Sequence, residues 1–580
     1  MLSLASGMKM SYNKNMFKKT SKTRQLNIFS SAHSLLKGRA LKEYEDKQKW
    51  HNQFRVQVTE RIDEEIFRPL FCEDFGAPNS SISILTGMMI LKEAQGWSDS
   101  QLFEQCQYNL LVRSALGLPN IDDSIPAAST YYLLRKRIVE REKEGQENLL
   151  EKVFVQVTKS QAIEFEINGN KIRMDSKLLG SNIAWYSRYE LIHETVRKFY
   201  KQYRDKATTL LSESEISILE RIIDESGDKI VYRSNKSEIE TKTSELGVLI
   251  YKIINLMKDH TSDVLQTLSR VFNDQYEVVE GTVVVRPKQE IKAVSVQSPH
   301  DTDCHYRKKD DNQKKGYSIN IAETCDTTDK PNLITNVIVD TASAADCKHL
   351  QPAIEATHEV IHGPIETVNA DGAYHSVENQ EYCQNNNIDL IVSAISGTPS
   401  RYDLEIDQNN ELIVTDTQTN TIVPTRKVET RKEDAQPKWA IRTDDNRHRY
   451  FTKKEIDACL LRKQIAARTR EELNVRNNVE ASIFQLGYHY SNDKSRYRGL
   501  IKHKMWANAR CLWINFVRIL KFTVSTRPDY TQGIPNYVQN NILLLFYQII
   551  VSKYVKYEVE MLLVKKFRLI FPKISFSMVS

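Results

Sequence analysis

The sequence is 580 residues long, with 40% hydrophobic and 27% charged residues and a formal net charge of +6. This length corresponds to roughly four domains of about 150 residues, and the composition is that of a globular protein and not of a disordered or fibrous one. The positive charge lies at the ends: residues 1–40 contain eight Lys or Arg and no acidic residue, and residues 491–580 contain fifteen Lys or Arg and four acidic residues. We expect residues 1–40 to be a basic flexible arm. Basic ends favour a polyanion partner, nucleic acid first, although a solvated tail with surface lysines has the same composition.

The eight cysteines are scattered without a CxxC pair. This argues against a zinc finger and against a disulfide scaffold, and fits a reducing cytoplasm. The N-terminus has no apolar run suited to a signal peptide. The longest apolar stretch, residues 542–551, is interrupted by Gln548 and is much shorter than the about 20 residues that a membrane helix needs. We therefore expect a cytoplasmic protein without a membrane partner.

Residues 41–160 are predicted to form a helical N-terminal domain. One helix is expected to end at Gly96 and the next to be capped by Ser98. A third is expected to be capped by Ser129 or Thr130. Short helices joined by tight turns are typical of a DNA-binding helix-turn-helix, but other all-helical domains share the pattern.

The next segments alternate between strand and helix patterns. Residues 161–187 contain a predicted hairpin that turns at Asn168-Gly169 and ends at Asp175. Residues 188–279 are charge-rich with a helical period, which predicts a helical insert. The elements predicted next are strands at 316–323 and 333–340, a helix at 346–362, a strand at 366–371, a helix at 374–387 and a strand at 388–396. This order favours an α/β fold with a mixed sheet and crossover helices.

The last part of the chain is predicted to contain an insert and two helices. Residues 400–452 are polar and β-rich, with a hairpin expected about Asn409-Asn410. A long helix is predicted over about 453–486 and another over about 499–521. Residues 522–580 remain unassigned. The core elements then fall into three segments, 161–187, 280–399 and 453–521.

The sequence HEVIH matches the HExxH zinc-protease pattern, with His358, Glu359 and His362. That chemistry needs both imidazoles on one helical face and a third ligand. Gly363-Pro364 is expected to end the helix directly after the second His, and Val368 stands where the usual third His belongs. A zinc site would need Glu378 or Glu381 as its third ligand.

Three carboxylates stand at or beside predicted elements. In ETVNADGAYHS a short apolar strand runs directly into Asp371, and Asp175 ends the predicted strand KIRMD. Glu480 lies at the edge of the apolar stripe of the long predicted helix, one turn after Arg476, which could orient or screen it. Each acid alone has an ordinary explanation as a turn, cap or surface residue. Together, acids from two strands and a helix predict a site for hard divalent cations such as Mg²⁺.

Five stretches that include these acids occur in a specific order. They are KIRMDSKLLGSNIA, KKGYSINIAET, NLITNVIVDTASAADCKHLQPAIE, ETVNADGAYHS and RNNVEASIFQLGYHYSNDKSRYRGL. In this order they resemble the motifs of a bacterial insertion-sequence transposase of the DDE type. Residues 60–140 also resemble the helical N-terminal domain of that family, so that the likeness covers roughly residues 40–520.

The resemblance implies a ribonuclease-H-like catalytic core in which Asp175, Asp371 and Glu480 are both catalytic residues and metal ligands. The implied cofactor is a pair of Mg²⁺ ions, with Mn²⁺ as a substitute. The implied partner is double-stranded DNA, both transposon ends and target, bound by a homodimer in a synaptic complex in the bacterial cytoplasm at the nucleoid. The implied reaction is cleavage at the transposon end followed by strand transfer. Two alternatives stay open: a DDE-type nuclease without strand transfer, and a DNA-binding remnant whose catalysis has decayed.

The signature around the third acid departs from the family pattern at two positions. A Tyr three residues before the Arg and a Lys seven residues after the Glu are replaced by Leu473 and Gly487. Lys494 is a candidate substitute for that Lys. Arg496 and Arg498, in the same stretch, are further candidates for binding or orienting DNA.

The β-rich insert lies between the second and third acids, and the resemblance implies that it emerges near the active site. Its only Trp, Trp439, is surrounded in sequence by eight basic residues: Arg426, Lys427, Arg431, Lys432, Lys438, Arg442, Arg447 and Arg449. We predict that Trp439 either stacks on an unpaired DNA base or fills the core of the insert.

Overall fold

The computed structural model describes residues 17–20, 25–27, 29–72, 78–309, 312–325, 329–395, 399–407, 411–428, 438–443 and 445–525. Residues 1–519 form one compact unit, and residues 520–580 form a second, whose described part is the end of a single helix. Most of the predicted arm and tail, residues 1–16 and 526–580, lie outside the described residues. No helix in the described ranges is both long and apolar enough to cross a membrane.

The N-terminal part of the described chain is helical. Its helices are α1 (Ala32–Leu35), α2 (Gly38–Glu45), α3 (Trp50–Gln57), α4 (Ile82–Gln95), α5 (Asp99–Tyr108), α6 (Leu110–Ala115), α7 (Ala128–Lys143) and α8 (Leu149–Glu164), with 3₁₀ helices at Thr59–Arg61 and Glu64–Leu70.

Two of the predicted helix boundaries in this part are confirmed and one is wrong. α4 ends at Gly96, whose φ of 68° is the left-handed conformation that glycine adopts at helix C-termini. Ser98 caps α5 in a capping box with Gln101. The third helix begins earlier than predicted, because α7 starts at Ala128 with Ala127 as its N-cap and without a side-chain cap. Ser129 and Thr130 therefore lie inside its first turn.

The strand β1 (Lys171–Gly180) follows α8 and leads into a helical segment. This segment contains α9 (Arg188–Leu210), α10 (Glu213–Asp224), α11 (Gly227–Arg233), α12 (Lys236–Leu256), α13 (Asp263–Gln275), the hairpin strands β2 (Tyr276–Val279) and β3 (Thr282–Val285), and a 3₁₀ helix at Lys288–Glu290. It has an apolar core of its own, to which Ile192, Phe199 and Leu268 contribute.

The strands that follow join β1 in a mixed sheet. They are β4 (His305–Lys309), β5 (Asn312–Thr324), β6 (Ile334–Thr341), β7 (Thr367–Ala370) and β8 (Asp389–Val392). Among the described residues the strand order is β6-β5-β1-β7-β8. β4 and β6 pair with the same edge of β5, β4 along its first part and β6 along the rest. β5 is antiparallel to β1, β4 and β6, whereas β7 is parallel to β1 and β8 is parallel to β7.

Helices connect the parallel strands, as predicted. α14 (Leu350–Val360), preceded by a 3₁₀ helix at Asp346–His349, leads from β6 to β7, and α15 (Val377–Asn385) leads from β7 to β8. Met174, Ile354 and Val368 belong to the apolar core between the sheet and these helices. The predicted mixed α/β architecture with crossover helices is confirmed for this part of the chain.

The predicted hairpin before Asp175 is wrong. α8 continues to Glu164, and Glu166, at a φ of 48°, turns the chain directly from that helix toward β1. β1 also does not end at Asp175. The long partner strand β5 pairs with it from Ile172 as far as Gly180, which places Asp175 in the middle of the strand.

The β-rich segment after β8 forms two small antiparallel sheets within the described residues. Its strands are β9 (Tyr402–Ile406), β10 (Leu412–Asp416), β11 (Thr421–Val423), β12 (Arg426–Val428), β13 (Lys438–Arg442) and β14 (His448–Thr452). β9 and β10 are paired as a hairpin, and the predicted turn residues Asn409 and Asn410 lie outside the described residues. Arg431 and Lys432 also lie outside them.

Of the two helices predicted after the β-rich segment, the first is divided into shorter helices and the second, about 499–521, is confirmed. The helices of this part are α16 (Lys453–Ala467), α17 (Arg470–Asn474), α18 (Val479–Gly487) and α19 (Leu500–Ser525), with 3₁₀ helices at Val475–Asn478 and Ser491–Asp493. The prediction of one helix over 453–486 is wrong. Arg468 leaves the helical conformation and donates to Asp389 Oδ1 at 2.5 Å. Thr469 then starts α17 through a capping box with Glu472.

Candidate active site

The register of two parallel strands places Asp175 beside Asp371. β1 pairs with β7 so that Arg173 is level with Asn369, and two residues further along each chain come Asp175 and Asp371. Neighbouring strands lie about 4.8 Å apart, so the two carboxylates start from adjacent backbone positions. Asp371 Oδ1 accepts a 2.8 Å hydrogen bond from the Gly372 amide and caps a 3₁₀ helix at Gly372–Tyr374. The carboxylate in ETVNADGAYHS therefore stands where β7 ends beside β1.

The two faces of β1 have different roles. Ile172 and Met174 point into the apolar core shared with α14, whereas Arg173 and Asp175 alternate with them and point to the opposite face. The segment from α17 to α18 covers this second face. Arg173 Nη1 donates to the Val475 carbonyl oxygen at 3.4 Å. Asp175 therefore faces the helices that carry the third predicted acid.

Arg476 lies between Asp175 and Glu480. Its Nη1 donates to Asp175 Oδ2 at 3.2 Å, and its Nη2 is 3.8 Å from Glu480 Oε1. The side chains of Arg476 and Asp175 are 18% and 16% exposed, whereas that of Glu480 is 64% exposed. One guanidinium thus contacts two of the three predicted acids from within a 3₁₀ helix, and Glu480 faces solvent.

The chemistry of this donor set fits a hard divalent cation. Asp175, Asp371 and Glu480 offer only carboxylate oxygens, which are the ligands that Mg²⁺ prefers. Their present arrangement is not a closed coordination shell: in the described part of the chain no three His, Cys, Asp or Glu side chains are grouped closely enough to hold a metal ion. In this arrangement the Arg476 guanidinium lies between the carboxylates of Asp175 and Glu480.

A buried tyrosine lies under the two aspartates. Tyr374 Oη donates to Asn320 Oδ1 on β5 at 2.7 Å. Burial raises the pKa of the Tyr374 hydroxyl well above its usual range, and the nearby charges of Asp346 and Asp175 add to the shift. The hydroxyl therefore stays protonated and donates a permanent hydrogen bond beneath the site.

A fully buried carboxylate connects the elements that carry the acids. Glu323 on β5 accepts hydrogen bonds from Arg173 Nε at 2.6 Å, Arg518 Nη2 at 2.7 Å and Ser482 Oγ at 2.6 Å. Burial by itself raises the pKa of the Glu323 carboxyl, but the charges of Arg518 and Arg173 outweigh it and hold that pKa below its ordinary value. Arg173 is two residues before Asp175, and Ser482 is two residues after Glu480. Their hydrogen bonds to Glu323 therefore anchor the segments that carry both acids to one buried carboxylate.

The three other basic residues of the signature contact backbone oxygens. Lys494 Nζ donates to the Ile183 carbonyl at 2.9 Å, and Arg498 Nε donates to the Asn182 carbonyl at 2.6 Å. Arg496 donates to the carbonyls of Gly96 and Trp97 at the end of α4. In this conformation all three hold the chain segment before α19 against its neighbours.

Trp439 lies in the core of the β-rich segment. Its side chain packs with Tyr402, Ile441 and Phe451, and the residue is only 6% exposed. This placement favours the second of the two predicted roles, filling the core, because the indole face is not accessible to a base. The exposed aromatic residue of the same sheet is Tyr450, one position before Phe451.

The HEVIH sequence does not form a zinc-protease helix. α14 ends at Val360, with Ile361 in an extended conformation, so His362 lies beyond the helix that carries His358. The two imidazoles therefore do not share a helical face, as the HExxH mechanism requires.

Two parts of the chain match models of known families. Residues 42–137 match a family described as a transposase domain (DUF772), and residues 278–516 match the transposase DDE domain. The chain belongs to the DDE-type insertion-sequence transposases. In this transposase the DDE match contains Asp371, Arg476 and Glu480 but begins at residue 278, within β2, so it does not reach Asp175 on β1. The DDE match fits a ribonuclease-H-like fold for the mixed sheet.

A solved structure and the curated proteins add little to this assignment. The cryo-electron microscopy structure of a piggyBac transposase synaptic complex with hairpin DNA aligns with 92% of this chain and 85% of that chain, at 9% sequence identity. The TM-score is 0.27, which is too low to relate the two folds. No curated protein matches the chain.

Sequence reasoning did not single out the Glu323 ion cluster or Tyr374 as part of the site. One signal was present: Arg173 and Glu323 are charged residues within strand patterns whose other members are mainly apolar, and a charge buried in a strand needs a partner. The partners Ser482 and Arg518 come from helices far along the sequence, and no local pattern connects them to Glu323.

Proposed function

We propose that this protein cleaves DNA at transposon ends and joins the freed strand to target DNA, using Asp175, Asp371 and Glu480 as catalytic residues. The observation that carries the proposal is the strand register, which pairs Arg173 with Asn369 two residues before Asp175 and Asp371. Glu480 supports it, since it shares the guanidinium of Arg476 with Asp175.

Asp175, Asp371 and Glu480 would hold two Mg²⁺ ions. Ions bound there would supply activation of an attacking hydroxyl and charge stabilisation at the leaving oxygen of a phosphodiester. The strands fix the positions of the two aspartates, and the buried Tyr374 hydroxyl holds β5 beneath them. Arg476 balances the negative charge of the carboxylates and is placed to bind a DNA phosphate, which a guanidinium contacts through two parallel hydrogen bonds.

The proposed partner is double-stranded DNA, bound by a homodimer that brings two transposon ends together. The helices of residues 42–137, which match the transposase domain, are the proposed contact to the DNA outside the cleavage site. The proposed core is ribonuclease-H-like, formed by β1 and β4 to β8 with α14, α15, α18 and α19. The segments 188–279 and 400–452 are proposed inserts in that core.

The test is a strand-transfer assay with the purified chain. Duplexes carrying the DNA that flanks the gene on each side are incubated with a supercoiled target plasmid and Mg²⁺, with Mn²⁺ in a parallel reaction. We expect nicks at the element ends and joined products that are absent when a chelator is added. Nicks without joined products would favour the nuclease alternative, and binding without nicks in either metal would favour the decayed remnant.

A further inference from the structure

An exposed aromatic stripe continues the helix face that carries Glu480. Phe484 and Tyr488 follow Glu480 by four and eight residues, and such positions share one face of a helix. Phe484 is 61% and Tyr488 is 41% exposed. Their ring centroids are 5.9 Å apart with the planes at 70°, and the Tyr488 ring also makes an edge contact with His489 at 5.0 Å. Exposed large aromatic side chains in a row mark an interaction surface, because core packing does not explain them.

Basic side chains lie near the Tyr488 end of this aromatic stripe (Phe484 and Tyr488). A Cβ at Gly487 would lie 2.7 Å from Lys177 Cε, so the end of α18 lies directly on β1 at this lysine. Lys314 Nζ donates to the Asn492 carbonyl oxygen at 2.6 Å, in the turn that follows α18. The Arg496 guanidinium lies 5.9 Å from the centre of the Tyr490 ring. A ligand on the stripe would thus have a carboxylate site at one end and basic side chains at the other, of which Lys177 is paired with Asp493 at 2.7 Å.

We propose that Phe484 and Tyr488 are a stacking platform for unpaired bases of the DNA strand beside the scissile phosphate. The inference rests on the proposed function, in which Glu480 acts at that phosphate. Along a helix that rises about 1.5 Å per residue, the two rings lie about 6 Å and about 12 Å beyond Glu480. At a spacing of about 3.4 Å per nucleotide, these distances correspond to about two and about four nucleotides.

The chemistry of the surface selects unpaired bases over a duplex or a protein partner. A flat aromatic face stacks on any unpaired base, whereas the bases of an intact duplex are already stacked on each other. The neighbouring Lys177, Lys314 and Arg496 suit a phosphate backbone. The platform would therefore hold the strand open after the first nick, when the bases next to the cut are free to leave the duplex.

The test compares two DNA probes with the full chain. One is a nicked duplex of the DNA that flanks the gene, with non-complementary bases beside the nick and 2-aminopurine at one of them. The other is the same duplex fully paired. We expect the double variant Phe484→Ala/Tyr488→Ala to bind the unpaired probe at least about tenfold more weakly and the paired probe unchanged, with loss of the 2-aminopurine quenching. Tyr232→Ala removes a more fully exposed aromatic ring from α11, away from the stripe, and is the control.

Each other outcome overturns the proposal. Equal weakening of both probes would mean that the stripe does not read unpaired bases. Unchanged binding together with a changed oligomeric state in light scattering would make the stripe a contact between copies of the chain. The conservative variant Tyr488→Phe should keep binding, and its failure would show that stacking is not the interaction. If the wild-type chain binds the unpaired probe through these rings but Glu480→Gln has no effect on cleavage, the proposed function fails, and the rings bind unpaired bases that are not beside a scissile phosphate.

Discussion

The sheet side of the candidate site (Asp175 and Asp371) and its helix side (Arg476 and Glu480) are held by different forces. Backbone pairing between β1 and β7 holds the chain two residues before each of the two aspartates, at Arg173 and Asn369. Glu480 instead arrives on the nine-residue helix α18, after a change from 3₁₀ to α geometry, and α18 is tied to the sheet through Ser482 and the buried Glu323. Substitutions on the sheet side should therefore change chemistry alone, whereas those that loosen the helix side should change stability and chemistry together.

The largest effect on activity is expected from Asp371→Asn. The amide keeps an oxygen that can accept from the Gly372 amide but removes the charge that a cation needs. We expect cleavage of end DNA to fall by at least about 10²–10³-fold, the scale of removing one electrostatic contact to a transition state. Thermal unfolding and DNA binding should stay within error of the wild type.

The control for this variant is Asp259→Asn, at an exposed position of the helical segment. A parallel loss of DNA binding or of stability in Asp371→Asn would show that the sheet side is not independent of the rest of the site.

The largest effect on stability is expected from Glu323→Ala. The substitution leaves Arg173 and Arg518 without their buried counter-charge, and breaking a buried ion pair typically lowers the free energy of unfolding by about 3–5 kcal/mol. Urea unfolding measures this change. Glu240→Ala, which removes a surface ion pair with Lys236, should cost at most about 1 kcal/mol. Equal values for the two variants would mean that the ion cluster does not hold α18 to the sheet.

The same cluster predicts a pH dependence. The pKa of Glu323 is lower in the folded chain than in the unfolded chain, because Arg518 and Arg173 outweigh the effect of burial. Its contribution to stability is therefore complete above the unfolded pKa, about 4.3, and is lost as the pH falls through the folded pKa. We expect the stability difference between wild type and Glu323→Gln to shrink as the pH is lowered below about 4. A difference that grows on acidification would contradict this assignment.

Trp439→Ala should destabilise the β-rich segment without a direct effect on the site. Removing a buried Trp typically lowers the free energy of unfolding by about 3–5 kcal/mol. Because Trp439 packs in a core that the β-rich segment shares with Ile456 of α16, we expect faster limited proteolysis of residues 400–452. Tyr450→Ala, at the exposed neighbouring aromatic residue, should leave proteolysis unchanged. A stable Trp439→Ala protein with slowed DNA processing would instead support base stacking by Trp439.

The smallest effect is expected from Arg476→Ala. Its guanidinium contacts Asp175 and Glu480, and removing it takes one positive charge away from the carboxylates. We expect Mn²⁺ to bind about fivefold more tightly, which corresponds to about 1 kcal/mol of removed competition. Isothermal titration calorimetry without DNA measures this directly. An unchanged affinity would show that Arg476 does not compete with the metal.

The sequence predicted structural features that depend on neighbouring residues, and it missed features that depend on contacts between distant parts of the chain. The crossover helices and the strand-end position of Asp371 follow from hydrophobic period and turn residues, and the structure agrees. The hairpin before Asp175 was wrong because α8 simply extends to Glu164 before the chain turns. The single helix over 453–486 was wrong because Arg468 pairs with Asp389 on β8, a contact that no helical pattern records. The Glu323 cluster joins β1, β5, α18 and α19 and has no local signature.

The most direct test of the central claim is a crystal structure of the chain with Mn²⁺ and nicked end DNA, phased to show anomalous scattering from the metal. The account predicts anomalous peaks coordinated by Asp175, Asp371 and Glu480, with Arg476 moved from between the carboxylates to a DNA phosphate. Metal bound elsewhere, or DNA bound with Arg476 still paired to Asp175 and no metal at the three acids, would contradict it.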